Sequence, residues 1–371
     1  MAPDASKKLQ AMLDFIVSPR EKSQLERISL GVIAQQARRK IKTKGLDCGN
    51  YGMGDGSFLL RDASGNLYPV IDEFPVLLYP EQLVDVDDQR VVDLLLPQYH
   101  EAYSEMSYYN ATQRHEENGE LSTEVMRRHM AGVSADMENS GEFPDPMTVW
   151  VDALHDTLSQ YDAYKYIAPV RDKSFLQLGG MGTHAVKALL AGAKVAYLLT
   201  PMLGEARLAK QLAIQMGVAD KFFCVIAVGE ECPFAVDSFD CVYSGGCLHH
   251  MRTDAAFSEI KRLLRTGGRF SAVDPWKTTL HQLGTKILGK RETSVFCKPL
   301  DAERLKPLSV FSKHAVLKHG PLLRYVFLGM EKMGLKLSIG AMARIGALDD
   351  QLGKLFHLTS ASGSIVVCAE K

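Results

Sequence analysis

The stretch from Phe175 to Pro201, FLQLGGMGTHAVKALLAGAKVAYLLTP, decides the fold of this 371-residue chain. Its pattern predicts a buried strand, a glycine-rich turn, a helix that ends at Gly192, and a second strand. Such a glycine turn lets a ligand approach the backbone, and the helix N-terminus offers N–H donors to it. The layout is typical of sites for nucleotide-like ligands, but the stretch contains no carboxylate to hold a ribose.

Strands and helices alternate from Lys173 to the C-terminus, which predicts a mostly parallel α/β sheet. A helix predicted at 253–268 is capped by Thr253 and closed by Gly267. Its apolar face consists of Phe257, Ile260, Leu263 and Leu264. Other strands are predicted at 174–178, 194–200, 221–228, 238–244, 269–275 and 363–371, and other helices at 184–193 and 204–217. Residues 276–358 are too many for a loop, so we expect a helical insertion over the site.

Length and composition predict a soluble globular chain of two domains. The chain is 46% hydrophobic and 23% charged, and its net charge of −1 gives no electrostatic basis for binding nucleic acid or an anionic membrane. We expect a small unit at 1–90, a helical cap or linker at 91–165, and the α/β domain at 166–371.

The seven cysteines are an odd number without a C-x-x-C pair, which predicts free thiols rather than disulfides or a zinc cluster. Most lie in apolar stretches, which is typical of buried thiols in a reducing compartment. The N-terminus has no secretory signal pattern, and the most apolar run, 188–203, is too short to span a bilayer. We therefore expect a cytoplasmic protein.

Two further motifs follow the glycine turn: EECPFAVDSFDCVYSGGCLHHM at Glu230–Met251 and LLRTGGRFSAVDPW at Leu263–Trp276. Together the three resemble class I S-adenosylmethionine-dependent methyltransferases, in the branch that includes ubiquinone and sterol methyltransferases. The resemblance covers about Lys173 to Trp276. It implies a Rossmann-like, seven-stranded, mostly parallel sheet with a helical cap and insertion, S-adenosylmethionine as cofactor, and a small N-terminal α+β domain beside it.

The same resemblance assigns a cofactor-binding set to the strand ends. Three positions that are usually acidic in the family are neutral in this chain, namely Gln177, Leu199 or Thr200, and Val228. Glu205 and Glu230 lie near them in sequence and are possible substitutes. The expected cofactor-binding residues are Gln177, Gly179, Gly180, Met181, Gly182, His184, Thr200, Pro201, Gly229, Glu230, Ser244 and Gly245.

The catalytic candidates are His249, His250 and Tyr109. Histidine titrates near neutral pH and suits a general base, although the Leu-His-His pattern also recurs in this branch as a structural feature. Tyr109, with Tyr103, Met106 and Tyr108, would enclose a sulfonium through its aromatic face or would simply pack on the core. Other residues expected in this neighbourhood are Ser244, Cys247, Asp274 and Trp276.

We predict no metal site, because nothing in the sequence completes a Cys247–His249–His250 set. The insertion carries basic residues that either contact an acidic substrate or form a solvated helix face. These are Lys290, Arg291, Lys298, Lys313, Lys318, His319 and Arg324.

The N-terminal 90 residues resemble the small bacterial zinc ribbon related to the activator subunit of tRNA and protein methyltransferases. The resemblance is carried by MLDFIVSPREKSQLER and LLRDASGNLYPVIDEFPVLLYPEQ. It places the four zinc positions at Ser18, Glu21, Arg61 and Ser64, which cannot form a structural zinc site. We therefore expect no zinc and an apolar core of Phe15, Ile16, Val17, Tyr68, Val70, Val76 and Leu77.

These patterns lead to one leading hypothesis and two alternatives. The leading hypothesis is methylation of a small molecule, without nucleic-acid or membrane partners. The first alternative is a methyltransferase fold redirected to another reaction, such as cyclisation. The second is a non-catalytic partner protein that has lost the cofactor. The sequence leaves the oligomeric state open, with a homodimer as one option.

Overall fold

The computed structural model describes residues 10–29, 58–78, 156–278, 298–323 and 339–371, without 11 and 72, together with 326, 329, 330 and 333. The predicted cap therefore lies outside the described residues up to position 155, and so does Tyr109. Among the described helices, none combines the length and apolar character that a membrane crossing requires.

The N-terminal part forms an antiparallel sheet of four strands in the order β1-β2-β3-β4. Tyr68 is fully buried there, and its hydroxyl donates to Asp62 Oδ2 over 2.9 Å. Asp62 also accepts the backbone N–H of Asn66, which closes the turn between two strands. The strands are β1 (Glu26–Ser29), β2 (Phe58–Arg61), β3 (Leu67–Ile71) and β4 (Phe74–Pro75).

The four positions matched to zinc ligands carry hydrogen bonds instead. The Ser64 hydroxyl donates to Glu21 Oε1 over 2.5 Å, and Arg61 pairs with Glu26 over 2.7 Å. The buried Ser18 hydroxyl lies 3.1 Å from that of Ser23. The resemblance of this unit to a zinc ribbon stays a prediction.

The α/β part contains a seven-stranded sheet in the order β10-β11-β9-β8-β5-β6-β7. Six strands share one direction, and β11 runs antiparallel to both of its neighbours. This topology confirms the predicted Rossmann-like, mostly parallel sheet. The strands are β5 (Ser174–Leu178), β6 (Val195–Thr200), β7 (Phe222–Ile226), β8 (Phe239–Gly245), β9 (Leu264–Pro275), β10 (Lys313–His319) and β11 (Ser364–Glu370).

Helices cover the two faces of this sheet unequally. One face packs against the first three helices in a continuous apolar core, and the other packs against the fourth helix and the N-terminal sheet. The helices are α1 (Thr157–Ile167), α2 (Thr183–Leu190), α3 (Leu203–Gln215), α4 (Thr253–Leu263), α5 (Ala302–Leu305) and α6 (Ile339–Leu355).

The helix predicted at 253–268 is five residues shorter in the structure. It ends at Leu263, because Leu264 pairs with Phe239 of β8 and starts the long strand β9. Gly267 N–H donates to the carbonyl of Lys371, the residue after β11, so the pairing between β9 and β11 extends to Gly267. The N-cap of this helix also differs from the prediction, since Arg252 and not Thr253 occupies that position.

The insertion is only partly helical. Helix α6 agrees with the prediction, but β10 lies in the same insertion and pairs with β11 along its whole length, from Lys313–Glu370 to His319–Ser364. The basic residues Lys313, Lys318 and His319 therefore belong to an edge strand rather than to a helix face, and that part of the prediction is wrong.

Candidate functional site

The glycine turn follows β5 and leads into α2. Gly179, Gly180 and Gly182 have φ of +70°, +76° and +76°, in the left-handed region that favours glycine. A Cβ on Gly179 would lie 2.3 Å from Cys247 Sγ, and one on Gly182 would lie 2.5 Å from Ala209 Cβ. Both the backbone conformation and the close neighbours therefore require glycine in this turn.

Gln177, at one of the neutralised positions, holds this turn together. Its Nε2 donates to the carbonyl of Gly179 over 2.8 Å, and its Oε1 accepts the N–H of Ala185 over 2.8 Å. The side chain is 1% exposed. Both ends of the amide are thus engaged inside the protein, where they fix the path of the chain from β5 into α2.

A carboxylate reaches the end of β6 from the neighbouring helix. Thr200 is the last residue of β6, and its hydroxyl donates to Glu205 Oε2 over 2.7 Å. Glu205 lies in the first turn of α3 and is buried. The negative charge that the strand end lacks is therefore present one hydrogen bond away from it.

Glu230 connects the loops that follow β7 and β8. It lies in a short 3-10 turn, Gly229–Glu231, and its Oε1 accepts the N–H of Arg252 over 2.9 Å. Burial raises the pKa of the Glu230 carboxyl to about 7, although the hydrogen bond from the Arg252 backbone N–H lowers it in part. A Cβ on Gly229 would lie 2.7 Å from Met251 Sδ, so the two loops are in direct contact.

His249 is oriented by Asp274. The His249 ring nitrogen Nδ1 lies 2.8 Å from Asp274 Oδ1, which also accepts the His249 backbone N–H over 3.1 Å. The Asp274 side chain is fully buried, whereas 17% of the His249 side chain is exposed. The His250 ring lies beside that of His249, with centroids 4.1 Å apart. An imidazole held by a buried carboxylate at Nδ1 exchanges protons through Nε2.

Arg304 holds the turn that carries His249. Its guanidinium donates to the carbonyls of Leu248, His249 and Met251 over 3.2, 3.2 and 2.8 Å. Arg304 lies in α5, inside the insertion, and it is not among the predicted site residues. No local pattern marks it, because Leu248, His249 and Met251 lie more than fifty residues earlier in the chain.

His184 lies next to Gly245, the last residue of β8. Its Nδ1 is hydrogen-bonded to the Tyr164 hydroxyl, and its ring lies 4.5 Å from that of Tyr243. A Cβ on Gly245 would lie 2.8 Å from His184 Nε2, so this nitrogen faces the strand end. Tyr164 was not predicted, because it falls in the segment interpreted as a cap or linker.

The predicted cofactor residues come together at one edge of the sheet. The glycine turn, Thr200 with Pro201, Gly229 with Glu230, and Ser244 with Gly245 stand at or just after the carboxyl ends of adjacent parallel strands. The Ser244 hydroxyl is fully buried and has no hydrogen-bond partner in the described part of the chain. Within the same residues, no three metal-ligating side chains form a cluster. Ligands of open α/β sheets bind at this edge.

Comparison with known proteins places a family match on this edge. Residues 176–272 match a family model described as a methyltransferase domain. They include the glycine turn, Thr200, Glu205, Glu230 and His249, and end two residues before Asp274. The search of curated proteins finds no match.

Solved structures with a similar chain include three enzymes. Geranyl diphosphate C-methyltransferase from Streptomyces coelicolor A3(2) is 13% identical, with a TM-score of 0.43 over 58% of this chain and 78% of that one. The cyclase SpnF is 18% identical, with a TM-score of 0.40 over 58% and 81%. Phosphoethanolamine N-methyltransferase 2 from Haemonchus contortus is 18% identical, with a TM-score of 0.43 over 58% and 52%.

Proposed function

We propose that this protein binds S-adenosylmethionine and transfers its methyl group to a small-molecule acceptor. The observation that carries the proposal is the methyltransferase-domain match, which falls on the sheet edge where the glycine turn and the Thr200–Glu205 pair meet. The net charge of the chain is only −1, and none of the described helices could cross a membrane. Neither observation points to a macromolecular or membrane acceptor.

The residues at this edge fit such a cofactor. The backbone N–H groups of Gly180 and Met181 take part in none of the backbone hydrogen bonds found in the described turns and loops, so they suit the anionic end of a ligand. Glu205 and Thr200 offer a carboxylate and a hydroxyl for ribose hydroxyl groups. The buried Ser244 hydroxyl provides one more polar group for the ligand.

When bound, the cofactor supplies an electrophilic methyl group on a sulfonium. The protein contributes alignment of the acceptor in line with that methyl group, and removal of the acceptor's proton where it carries one. We assign removal of the acceptor's proton to His249 Nε2. Asp274 holds Nδ1 of the same ring and stabilises the imidazolium that forms. His250 stays the alternative candidate for the base, and Tyr109, the candidate to enclose the sulfonium, lies outside the described residues.

We also propose that the protein works in the cytoplasm. Cys224, Cys232, Cys241 and Cys368 are buried free thiols. Burial raises the pKa of Cys241 to about 11 and that of Cys368 to about 12, which keeps both protonated and unreactive. Such thiols are typical of a reducing compartment.

The test begins with calorimetric titration of the full chain with S-adenosylmethionine and S-adenosylhomocysteine. We expect dissociation constants in the range of about 1 μM to 1 mM, as is common for enzyme substrates. Absence of binding at millimolar concentrations of both compounds would overturn the proposal.

A second experiment separates methyl transfer from the alternatives. The protein is incubated with methyl-labelled S-adenosylmethionine and a small-molecule extract, and the label is followed by mass spectrometry. We expect labelled small molecules together with S-adenosylhomocysteine. Binding with a new product but no transferred label would instead indicate a redirected enzyme, and a partner that copurifies without cofactor binding would indicate a scaffold.

A further inference from the structure

The N-terminal unit, residues 10–29 and 58–78, is docked on the segment 226–234 that follows β7. At one end, Leu77 N–H donates to the carbonyl of Ile226 over 2.8 Å. At the other end, Val17 N–H donates to the carbonyl of Pro233 over 3.0 Å. Bridges between Val76 and Ile226 and between Ile16 and Phe234 accompany these bonds. The backbone of the N-terminal unit thus holds both ends of this segment.

Charged contacts hold the middle of the same segment. Lys22 Nζ donates to the carbonyl of Cys232 over 2.9 Å and pairs with Glu259 Oε2 of α4 over 2.8 Å. Lys22 has a φ of +55°, an uncommon conformation for a residue with a side chain. Arg20 pairs with Glu231 over 3.1 Å. Lys22 and Glu259 are partly buried, with 27% and 14% of their side chains accessible, so this pair is screened less than a fully exposed pair.

Aromatic packing completes the docking. The Phe15 ring stacks on Tyr197 of β6 with centroids 4.9 Å apart, and it meets Phe234 and Phe239 edge-on at 6.3 and 5.4 Å. Between β7 and β8 the chain forms only the three-residue 3-10 turn, so no helix of that connection covers this face. The N-terminal unit covers it instead.

The turn held in this way carries Val228, Gly229 and Glu230, which follow β7 at the sheet edge where the predicted cofactor residues meet. We infer that the N-terminal unit is a structural wall of the cofactor site, and that its docking is coupled to cofactor affinity. This inference rests on the proposed function. Coupling of this kind is reciprocal, so bound cofactor also tightens the docking of the N-terminal unit. Lys22 acts here as a positioning residue.

The experiment compares Lys22→Met with a control on the same unit, Arg61→Met. Arg61 pairs with Glu26 at an exposed position, with 44% and 67% of the two side chains accessible. Titration with S-adenosylhomocysteine gives the affinity, and hydrogen exchange followed by mass spectrometry reports protection of residues 226–234.

We expect Lys22→Met to weaken binding by about 5- to 50-fold, within the usual range of coupling between sites. Exchange in 226–234 should rise in this variant, and Arg61→Met should change neither quantity by more than about twofold. Where Lys22→Met does not fold, Arg20→Met tests the same docking through Glu231. Added S-adenosylhomocysteine should lower exchange of the N-terminal unit in the wild type.

Two results would overturn the inference. Unchanged affinity in Lys22→Met despite faster exchange in 226–234 would show that docking and binding are independent. Unchanged exchange in both Lys22→Met and Arg20→Met would show that these contacts do not hold the turn. If the wild type binds no S-adenosylhomocysteine, the proposed function fails, whereas the exchange data still report whether Lys22 holds the turn.

Discussion

Thr200 and Glu205 illustrate how a helix side chain supplies a charge that a strand end lacks. Thr200, which with Leu199 is one of the two residues matched to an expected acid, has only a neutral hydroxyl. The hydroxyl donates to the buried Glu205 carboxylate. Because the Thr200 hydroxyl donates its proton to Glu205, its oxygen can act only as an acceptor towards a ligand. The Glu205 carboxylate polarises the hydroxyl and strengthens that acceptor.

We predict that Glu205→Gln weakens binding of S-adenosylmethionine by about 5- to 10-fold. Hydrogen bonds to charged groups contribute about 1.5–3 kcal/mol and neutral ones about 0.5–1.5 kcal/mol, and the difference sets this range. Titration calorimetry measures the dissociation constant of S-adenosylmethionine for each variant. Thr200→Ser keeps the hydroxyl and serves as the control, with affinity within about twofold of the wild type. Equal affinity of Glu205→Gln and wild type would show that the carboxylate does not act on the cofactor.

We predict that Asp274→Asn lowers the rate of methyl transfer by about 10²- to 10⁴-fold, the usual contribution of general acid–base catalysis. An asparagine can hold His249 in the wrong tautomer, and it does not stabilise the imidazolium. The measurement is initial rate with labelled cofactor across pH 6 to 9, with cofactor affinity determined in parallel. His314→Gln, at an exposed position of β10, is the control and should retain the pH profile. A rate for Asp274→Asn near that of the wild type would remove His249 as the base.

At the scale of elements, the sequence predicts the parallel strands well and the helix boundaries less well. Strands β5 to β8 are short apolar runs between glycine and polar turns, and the structure has them within two residues of the predicted bounds. Residues 264–268 have helical periodicity as a continuation of α4, but pairing of Leu264 with Phe239 draws them into β9. Strand β10 escaped prediction because its seven residues alternate weakly and only its partner β11 fixes it.

The residues of the candidate site were predictable where each one follows a predicted strand. The glycine turn, Thr200, Glu230 and Ser244 each lie at or just after the end of such a strand, and the structure brings these strand ends to one edge of the sheet. The pairs Tyr164–His184, His249–Asp274 and Arg304–Met251 join residues 20, 25 and 53 positions apart. Such contacts depend on tertiary packing, which a single sequence does not reveal.

His319 joins three elements of the C-terminal part. It is the last residue of β10, its Nδ1 is bonded to Asp350 of α6, and its Nε2 lies 3.1 Å from Asp162 Oδ2 of α1. The contact with Asp162 is an ion pair rather than an aligned hydrogen bond. Burial by itself lowers the pKa of His319, but the carboxylates of Asp162 and Asp350 outweigh it and raise the pKa to about 9.

We predict that His319→Gln lowers the free energy of unfolding at pH 6 by about 2–4 kcal/mol, because folding raises the pKa of His319 from 6.5 to about 9. Because the pKa is raised on folding, the stabilisation is complete below the unfolded pKa near 6.5 and is lost as pH rises through about 9. Denaturant unfolding at pH 6, 8 and 10 measures the difference between wild type and variant. His314→Gln, an exposed position of the same strand, is the control. A difference that does not shrink with pH would show that charge is not the cause.

At the scale of the whole molecule, the N-terminal sheet and the α/β sheet share one apolar core. Met12, Ile16, Leu60 and Tyr68 pack in the same cluster as residues of β5 to β9. The contacts with 226–234 extend this core along the backbone. A unit that packs in this way unfolds together with its neighbour rather than as an independent domain.

We therefore predict that scanning calorimetry shows one transition that includes both units, and that Ile16→Ala lowers its midpoint by about 3–6 °C. Truncating a buried isoleucine costs about 2–5 kcal/mol, and each kcal/mol lowers the midpoint by about 1.3 °C when a chain of this length unfolds in one transition. Ile16 is 2% exposed, whereas Ile214 on α3 is 57% exposed, so Ile214→Ala is the matched control and should shift the midpoint little. Two separate transitions, with Ile16→Ala moving only one of them, would show that the N-terminal unit folds by itself. In that case its contacts with the segment 226–234 would form only after both parts have folded.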